Sequence, residues 1–194
     1  MIDRLTERAR QVLVVAQAEA HLMQHAHIGT EHMLVGLARG DEEAAAMLHR
    51  FGLSGDTARA QVVQLVGMGD HAGGGALAFT PAAKDALEHS IVEAMQLGHE
   101  HADSAHLLLA MLRQPDAVAR RMLVTAGAAP RDVRNELIER LSRSEPARPA
   151  VETLAGGPRV DGQALLAILG RNGAVAAWLR ERGVDEDAVR RMMG

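Results

Sequence analysis

The feature that most constrains this chain is that it contains its own pattern twice. With an offset of 74 positions, Leu5 to Arg39 lies over Phe79 to Arg113. Thr6 then falls on Thr80, Ala9 on Ala83, Leu13 on Leu87 and Glu19-Ala20 on Glu93-Ala94. His25, His27 and His32 fall on His99, His101 and His106, and Arg39 falls on Arg113. One extra residue in the second copy makes the offset 75, and Met47-Leu48, Gly52 and Arg59 then meet Met122-Leu123, Gly127 and Arg134. A self-match of this length with one gap is the mark of a repeat architecture, in which one structural unit is built twice and packed against itself.

Each copy reads as four helices. In the first, Ala9, Val12, Leu13, Ala16 and Ala20 recur at spacings of three and four, one apolar stripe of a helix from about Thr6 to His25. Thr6 offers an N-cap oxygen, and Thr80 in the second copy is followed by Pro81, a favoured first helical residue. A second helix is expected after Thr30 or Ser104, a third over Ala44 to Phe51 or Ala117 to Ala126, and a fourth from Ser54 or Pro130 to Val66 or Leu141. Gly52 and Gly127 stand just past the third, where a left-handed C-terminal cap wants glycine. Composition agrees: aromatic residues are 2% of the chain, so Ala, Leu, Val, Ile and Met must build the core, and most of these favour helices.

The expected fold is therefore all-α, a pseudo-twofold tandem repeat of two four-helix units, with a C-terminal helical half-repeat. Repeat one covers 1–67 and repeat two 79–142, together forming a domain over 1–142. Gly67 to Ala78, with its Gly73-Gly74-Gly75 run, reads as a flexible connection. The stretch 143–160, rich in Pro and Gly, reads as an exposed linker. Residues 161–194 read as the back half of a third repeat, because Leu165-Leu166-Ala167 echoes Leu108-Leu109-Ala110 and Ala174-Val175-Ala176 echoes Ala117-Val118-Ala119.

Several function classes lose support at this stage. There is no cysteine, which removes disulfides and thiolate metal sites. No apolar run approaches the length of a membrane span, and the charged start, Asp3-Arg4-Leu5-Thr6-Glu7-Arg8, is no secretory signal, so a cytoplasmic protein without membrane partners is expected. A net charge of −4 speaks against nucleic acid as a partner. No serine sits in a nucleophile elbow, and the glycine runs lack the lysine and hydroxyl of a phosphate-binding loop. The expectation is a non-enzymatic protein with no cofactor.

The motifs Arg4-Leu5-Thr6-Glu7-Arg8-Ala9-Arg10, Gly29-Thr30-Glu31-His32 and Phe79-Thr80-Pro81-Ala82-Ala83-Lys84 stand in this order. In this the chain resembles the Clp amino-terminal domain of ClpA/ClpC-type unfoldases over about residues 1 to 142. In full-length relatives that domain precedes two ATPase modules and captures substrates and adaptors for an unfoldase that feeds the ClpP peptidase. The resemblance implies a protein- or peptide-binding module whose partners are Clp unfoldase components, substrate proteins or adaptor proteins. Without ATPase modules it would be a free-standing adaptor or decoy, or a piece of a longer chain.

The resemblance also implies two sites. In ClpC-type relatives the Gly-Thr-Glu-His tetrad offers a carboxylate to the guanidinium of phosphoarginine and helix-start donors to its phosphate, which here points to Thr30 and Glu31. The second copy reads Asp103-Ser104-Ala105-His106, so the carboxylate equivalent to Glu31 is missing, and at most one of two family sites survives. The plainer reading makes Thr30 a helix cap and Glu31 a favourable first-turn acid. The second implied site is a peptide groove between the two long first helices, which in actinobacterial relatives accepts cyclic peptide antibiotics. It maps to Ile2, Leu5, Arg10, Leu13, Val14, Gln17, Phe79, Lys84, Leu87, Glu88 and Ile91, with Ile2 in place of the family's usual aromatic. The alternative is that these residues only close the repeat interface.

The histidines keep a different function class open. His21 and His25, four apart, could chelate a metal on one helical face, giving a histidine-based metal-binding helical protein as the alternative reading. No H-E-x-x-H motif is present, and histidines near helix ends are favoured by the helix dipole, so no metal is expected.

Overall fold

The computed structural model describes residues 2–40, 43–71 and 74–143, together with Asp187 and Arg190, and leaves the side chains of Ile2 and Glu43 undescribed. The expected linker from Ser144 onward and the expected half-repeat at 161–194 lie outside the described residues, those two positions apart.

Repeat one contributes α1 (Glu7–Leu22), β1 (His27–Ile28), α2 (Thr30–Ala38), α3 (Glu43–Arg50) and α4 (Gly55–Leu65). Repeat two contributes β2 (Ala78–Phe79), α5 (Pro81–Gln96), α6 (Ser104–Arg113), α7 (Val118–Thr125) and α8 (Pro130–Leu141). Local chemistry accounts for the ends. The Thr6 and Thr80 hydroxyls each accept the N–H three residues on, from Ala9 and Ala83, at 3.2 Å. Gly52 and Gly127 close α3 and α7 at φ of 72° and 80°, a region other residues occupy only with strain. The expected second helices begin one residue earlier than the sequence suggests, with Gly29 and Asp103 as the N-caps.

The repeats are tied together by a reciprocal exchange of backbone bonds. β1 pairs with β2 in parallel, Ile28 opposite Phe79, and Thr80 N–H donates to Ile28 O at 2.9 Å. The equivalent residues, displaced by 74, do the same from the other side. Leu5 bridges Ala102, and Thr6 N–H donates to Ala102 O at 2.9 Å. The run-in to each repeat's long helix thus pairs with the other repeat's segment ahead of its second helix. That is the pattern of a twofold interface, in which one set of contacts occurs twice.

α2 is buried along its whole length and α6 from Ser104 to Leu112, and the two form the centre of the core. Leu34, Leu37, Leu107, Leu108, Met33 and Met111 are at most 1% exposed there. The glycine-rich connection departs from the flexible reading at its start. Gly69 N–H donates to Met23 O and His71 N–H to Gln24 O, both at 2.9 Å, so this stretch is fastened over the C-terminal end of α1. The reason is capping: the carbonyls that a helix leaves unpaired at its C-terminus need donors, and the chain running past supplies them.

Candidate functional site

Four carboxylates are buried among the described residues: Glu19, Glu31, Glu93 and Asp103. Three hold arginine. Glu19 on α1 is fully enclosed and accepts from Arg39 at 2.7 Å and from Arg59 at 2.6 and 2.8 Å. Glu93 on α5, its counterpart, accepts from Arg113 at 3.2 Å and from Arg134 at 2.9 and 3.0 Å. Burial works against the Glu93 charge, but Arg134 and Arg113 outweigh it and hold the carboxyl below the usual range. Asp103 accepts from Arg8. These pairings explain why Glu19, Arg39 and Arg59 recur as Glu93, Arg113 and Arg134 in the self-match: a buried carboxylate needs its partners in both copies.

Glu31, the fourth, has no arginine among the described residues. It lies in the first turn of α2, where a Cβ added to Gly29 would stand 2.2 Å from its Oε1. Glycine at 29 therefore makes room for the carboxylate at the helix start. Burial raises the Glu31 pKa, opposed in part by its own backbone N–H and by His25. In repeat two the same place holds Asp103 at the N-cap itself, accepting Ser104 N–H at 2.8 Å and the Thr6 hydroxyl at 2.7 Å. Both helix starts therefore carry a carboxylate, one supplied from N2 and the other from the N-cap. The sequence comparison alone shows only the lost glutamate.

Thr30 is the first residue of α2 and not its cap. Its hydroxyl is buried and accepts Ala119 N–H, at the start of α7, at 3.3 Å. Thr30 and Glu31 are thus neighbours with different surroundings, one joined to repeat two and the other folded over Gly29.

The histidines line up as proton-ordered pairs. Gly29 N–H donates to His32 Nδ1 at 2.9 Å, so His32 carries its proton on Nε2 and donates it to His25 Nδ1 at 2.7 Å. His25 Nε2 then donates to Gly67 O at 3.0 Å. In repeat two Asp103 N–H donates to His106 Nδ1 at 2.9 Å, and His106 Nε2 to His99 Nδ1 at 2.8 Å. Burial and the neighbouring His25 push His32 down to about 3, and burial with His99 pushes His106 down to about 4. His32 and His106 are thus neutral, and each ring pair latches the end of the first helix to the start of the second. His21 faces away from this pair and bonds Gly75 O at 2.9 Å, so His21 and His25 do not form the chelating pair. His25, Glu31 and His32 do offer ligand atoms within 4.8 Å of one another. A cation there would have to displace the shared proton and the Gly29 bond, and the donor set does not favour it.

The expected groove is mostly core. Leu5, Leu13, Val14, Gln17, Phe79 and Leu87 are at most 5% exposed. Arg10 and Ile91 are half-buried, and Lys84 and Glu88 are exposed. Ile2 lies in a single 3-10 turn, Ile2–Arg4, with its side chain undescribed. Gln17 Oε1 and Arg10 Nε are buried with no hydrogen-bond partner among the described residues. Arg8 and Asp103 form a pair that the sequence does not announce, although the second tetrad containing Asp103 stands out in it. Their signal was a paired difference: Arg8 falls on Ala82 and Asp103 on Gly29, and the fold brings these positions together.

No described helix is long and apolar enough to cross a membrane. Comparison with known proteins places this arrangement. The profile of the Clp repeat (R) N-terminal domain matches residues 4–90 and 78–161. The chloroplast chaperone protein ClpC1 of Oryza sativa subsp. japonica is 40% identical over 148 residues, 76% of this chain and 16% of that protein. The ClpC1 of Arabidopsis thaliana is 41% identical over 139 residues, 71% of this chain and 15% of that protein. The chain therefore spans about one sixth of the length of these relatives. Among solved structures, the N-terminal domain of ClpD from Arabidopsis thaliana superposes with a TM-score of 0.61 at 22% identity, covering 73% of this chain and 99% of that one. The N-domain of ClpV from Vibrio cholerae gives 0.57 at 18% identity over 78% of this chain and 90% of that one. Two helical repeats exchanging their run-in segments, matched twice by one family profile, make this chain a member of the Clp repeat N-terminal domain family.

Proposed function

We propose that the chain is a recognition module of Clp-type protein unfolding: it takes substrate or adaptor proteins without transforming them, as an adaptor to an unfoldase or a decoy for its ligands. Glu31 is the residue that receives the ligand, and the group it receives is a guanidinium such as that of a phosphoarginine-tagged protein. One observation carries this. Of four buried carboxylates among the described residues, Glu31 is the one without arginine, and burial leaves its charge poorly compensated. A guanidinium from outside would supply what Arg39 and Arg59 supply to Glu19. Phosphate would find donors nearby at the start of α5, where the β1–β2 pairing sets Thr80 beside Gly29.

The seam between α1 and α5 is the weaker candidate for peptides, cyclic ones included, because its apolar side chains are already packed. Titration of the full chain with phosphoarginine, followed by calorimetry, tests the Glu31 assignment. Binding is expected in the wild type and a loss of about tenfold or more in Glu31→Gln, which keeps the shape and removes the charge. Undiminished binding in that variant would remove Glu31 from the site.

A further inference from the structure

The two helix starts differ in one respect that bears on how many ligands the chain can hold. In both, the other repeat's first-helix start runs past the start of the second helix: Thr80 N–H donates to Ile28 O, one residue before Gly29, and the Thr6 hydroxyl donates to Asp103. In repeat two the carboxylate is already saturated. Asp103 Oδ1 accepts the Thr6 hydroxyl at 2.7 Å and Ser104 N–H at 2.8 Å, and Oδ2 takes the Arg8 Nη2 at 2.5 Å. Arg8 enters from the first turn of α1, three residues after the Leu5–Ala102 bridge. The residue in the same place on α5 is Ala82. Repeat one thus has a carboxylate and no arginine, and repeat two has a carboxylate with its arginine supplied in the same chain.

We propose that Arg8 is a built-in occupant of the second guanidinium site, so that the chain binds one guanidinium-bearing ligand where its fold provides two places. This rests on the reading of Glu31 as the open site. The chemistry is that of a guanidinium on a carboxylate that is nine-tenths buried, with Arg8 itself 46% exposed. The Asp103 end of the pair is fixed by two further donors, the Thr6 hydroxyl and Ser104 N–H. The Arg8 end stands at the surface and is the part a competing guanidinium would replace. Tethering gives Arg8 a high local concentration, so a free ligand competes poorly while Arg8 is present.

Two substitutions transplant the difference. Arg8→Ala should empty the second place and raise the number of phosphoarginine bound from one to two. In a 1H–15N NMR titration the added shifts should fall on Thr6, Ala102, Asp103 and Ser104, and Asp103→Ala in the same background should abolish them. Ala82→Arg should fill the first place and weaken binding at Gly29 to His32 by about tenfold or more. A stoichiometry of one in folded Arg8→Ala, with no shifts at Ala102 to Ser104, overturns the proposal. Should Arg8→Ala fail to give a dispersed spectrum, Ala82→Arg decides alone, and unchanged binding there overturns it. The Glu31 reading fails separately: if Glu31→Gln binds like wild type while Arg8→Ala still gains shifts at Ala102 to Ser104, the built-in occupant stands and Glu31 does not.

Discussion

Glu19 and Glu93 hold the same place in the two repeats and the same pair of arginines, yet they are enclosed to different degrees. Arg39, on Glu19, is 8% exposed at its side chain, whereas Arg113, on Glu93, is 43% exposed. The α2 and α6 starts differ in the opposite sense. There repeat one leaves its carboxylate without arginine, and repeat two closes its own with Arg8. Repeat one is thus the tighter unit at its centre and the more open one at its edge. Duplication supplied two matching frames, and the two repeats differ in how each frame pairs its carboxylates.

The largest test of this contrast is at the centre. Glu19→Ala should cost about 3–5 kcal/mol in urea denaturation, since it strands two arginines, one of them deeply buried. Glu93→Ala should cost less, because Arg113 and Arg134 can turn to water. Equal losses would break the comparison.

Acid should separate the histidine latches next, on the order of a few kcal/mol in total. His32 and His106 have folded pKa values near 3 and 4, below the unfolded value of about 6.5. Their contribution is therefore complete above about pH 6.5 and declines as the pH falls, being exhausted near 4 for His106 and near 3 for His32. NMR of the imidazole carbons should show His106 protonating before His32. The reverse order would mean that the repeat-two latch is the better enclosed one.

The smallest effects concern the helix starts, and there the sign is informative. Glu31→Gln should stabilise the protein at pH 7 by up to about 1 kcal/mol, because it removes a charge that burial disfavours. Asp103→Ala should destabilise it by about 1–2 kcal/mol through the lost cap and ion pair. Thermal unfolding of both variants checks this, and destabilisation by Glu31→Gln would give Glu31 a structural role after all.

Much of the fold was legible in the chain because duplication repeats whatever folding requires. Thr6 and Thr80 mark helix starts, and Gly52 and Gly127 mark helix ends, through local geometry that needs no tertiary contact. The candidate site was less legible. Glu31 stood out through its motif, but its lack of an arginine is a statement about what surrounds it. Arg8 and Asp103 are 95 positions apart and unremarkable singly. Thr30 has the residue type of a cap, yet its oxygen is taken by Ala119 across the repeat boundary.

By itself the sequence determined an all-helical double repeat, its helix ends, and which residues both copies keep. Capping, periodicity and propensity act within a few residues, so they can be read from the chain. Only the tertiary structure decided that each repeat's run-in pairs with the other repeat, that Glu19 gathers arginines 20 and 40 positions away, and that Asp103 is paired with Arg8. Partners so far apart in sequence meet only when the core closes, and burial is what makes each of those pairings matter.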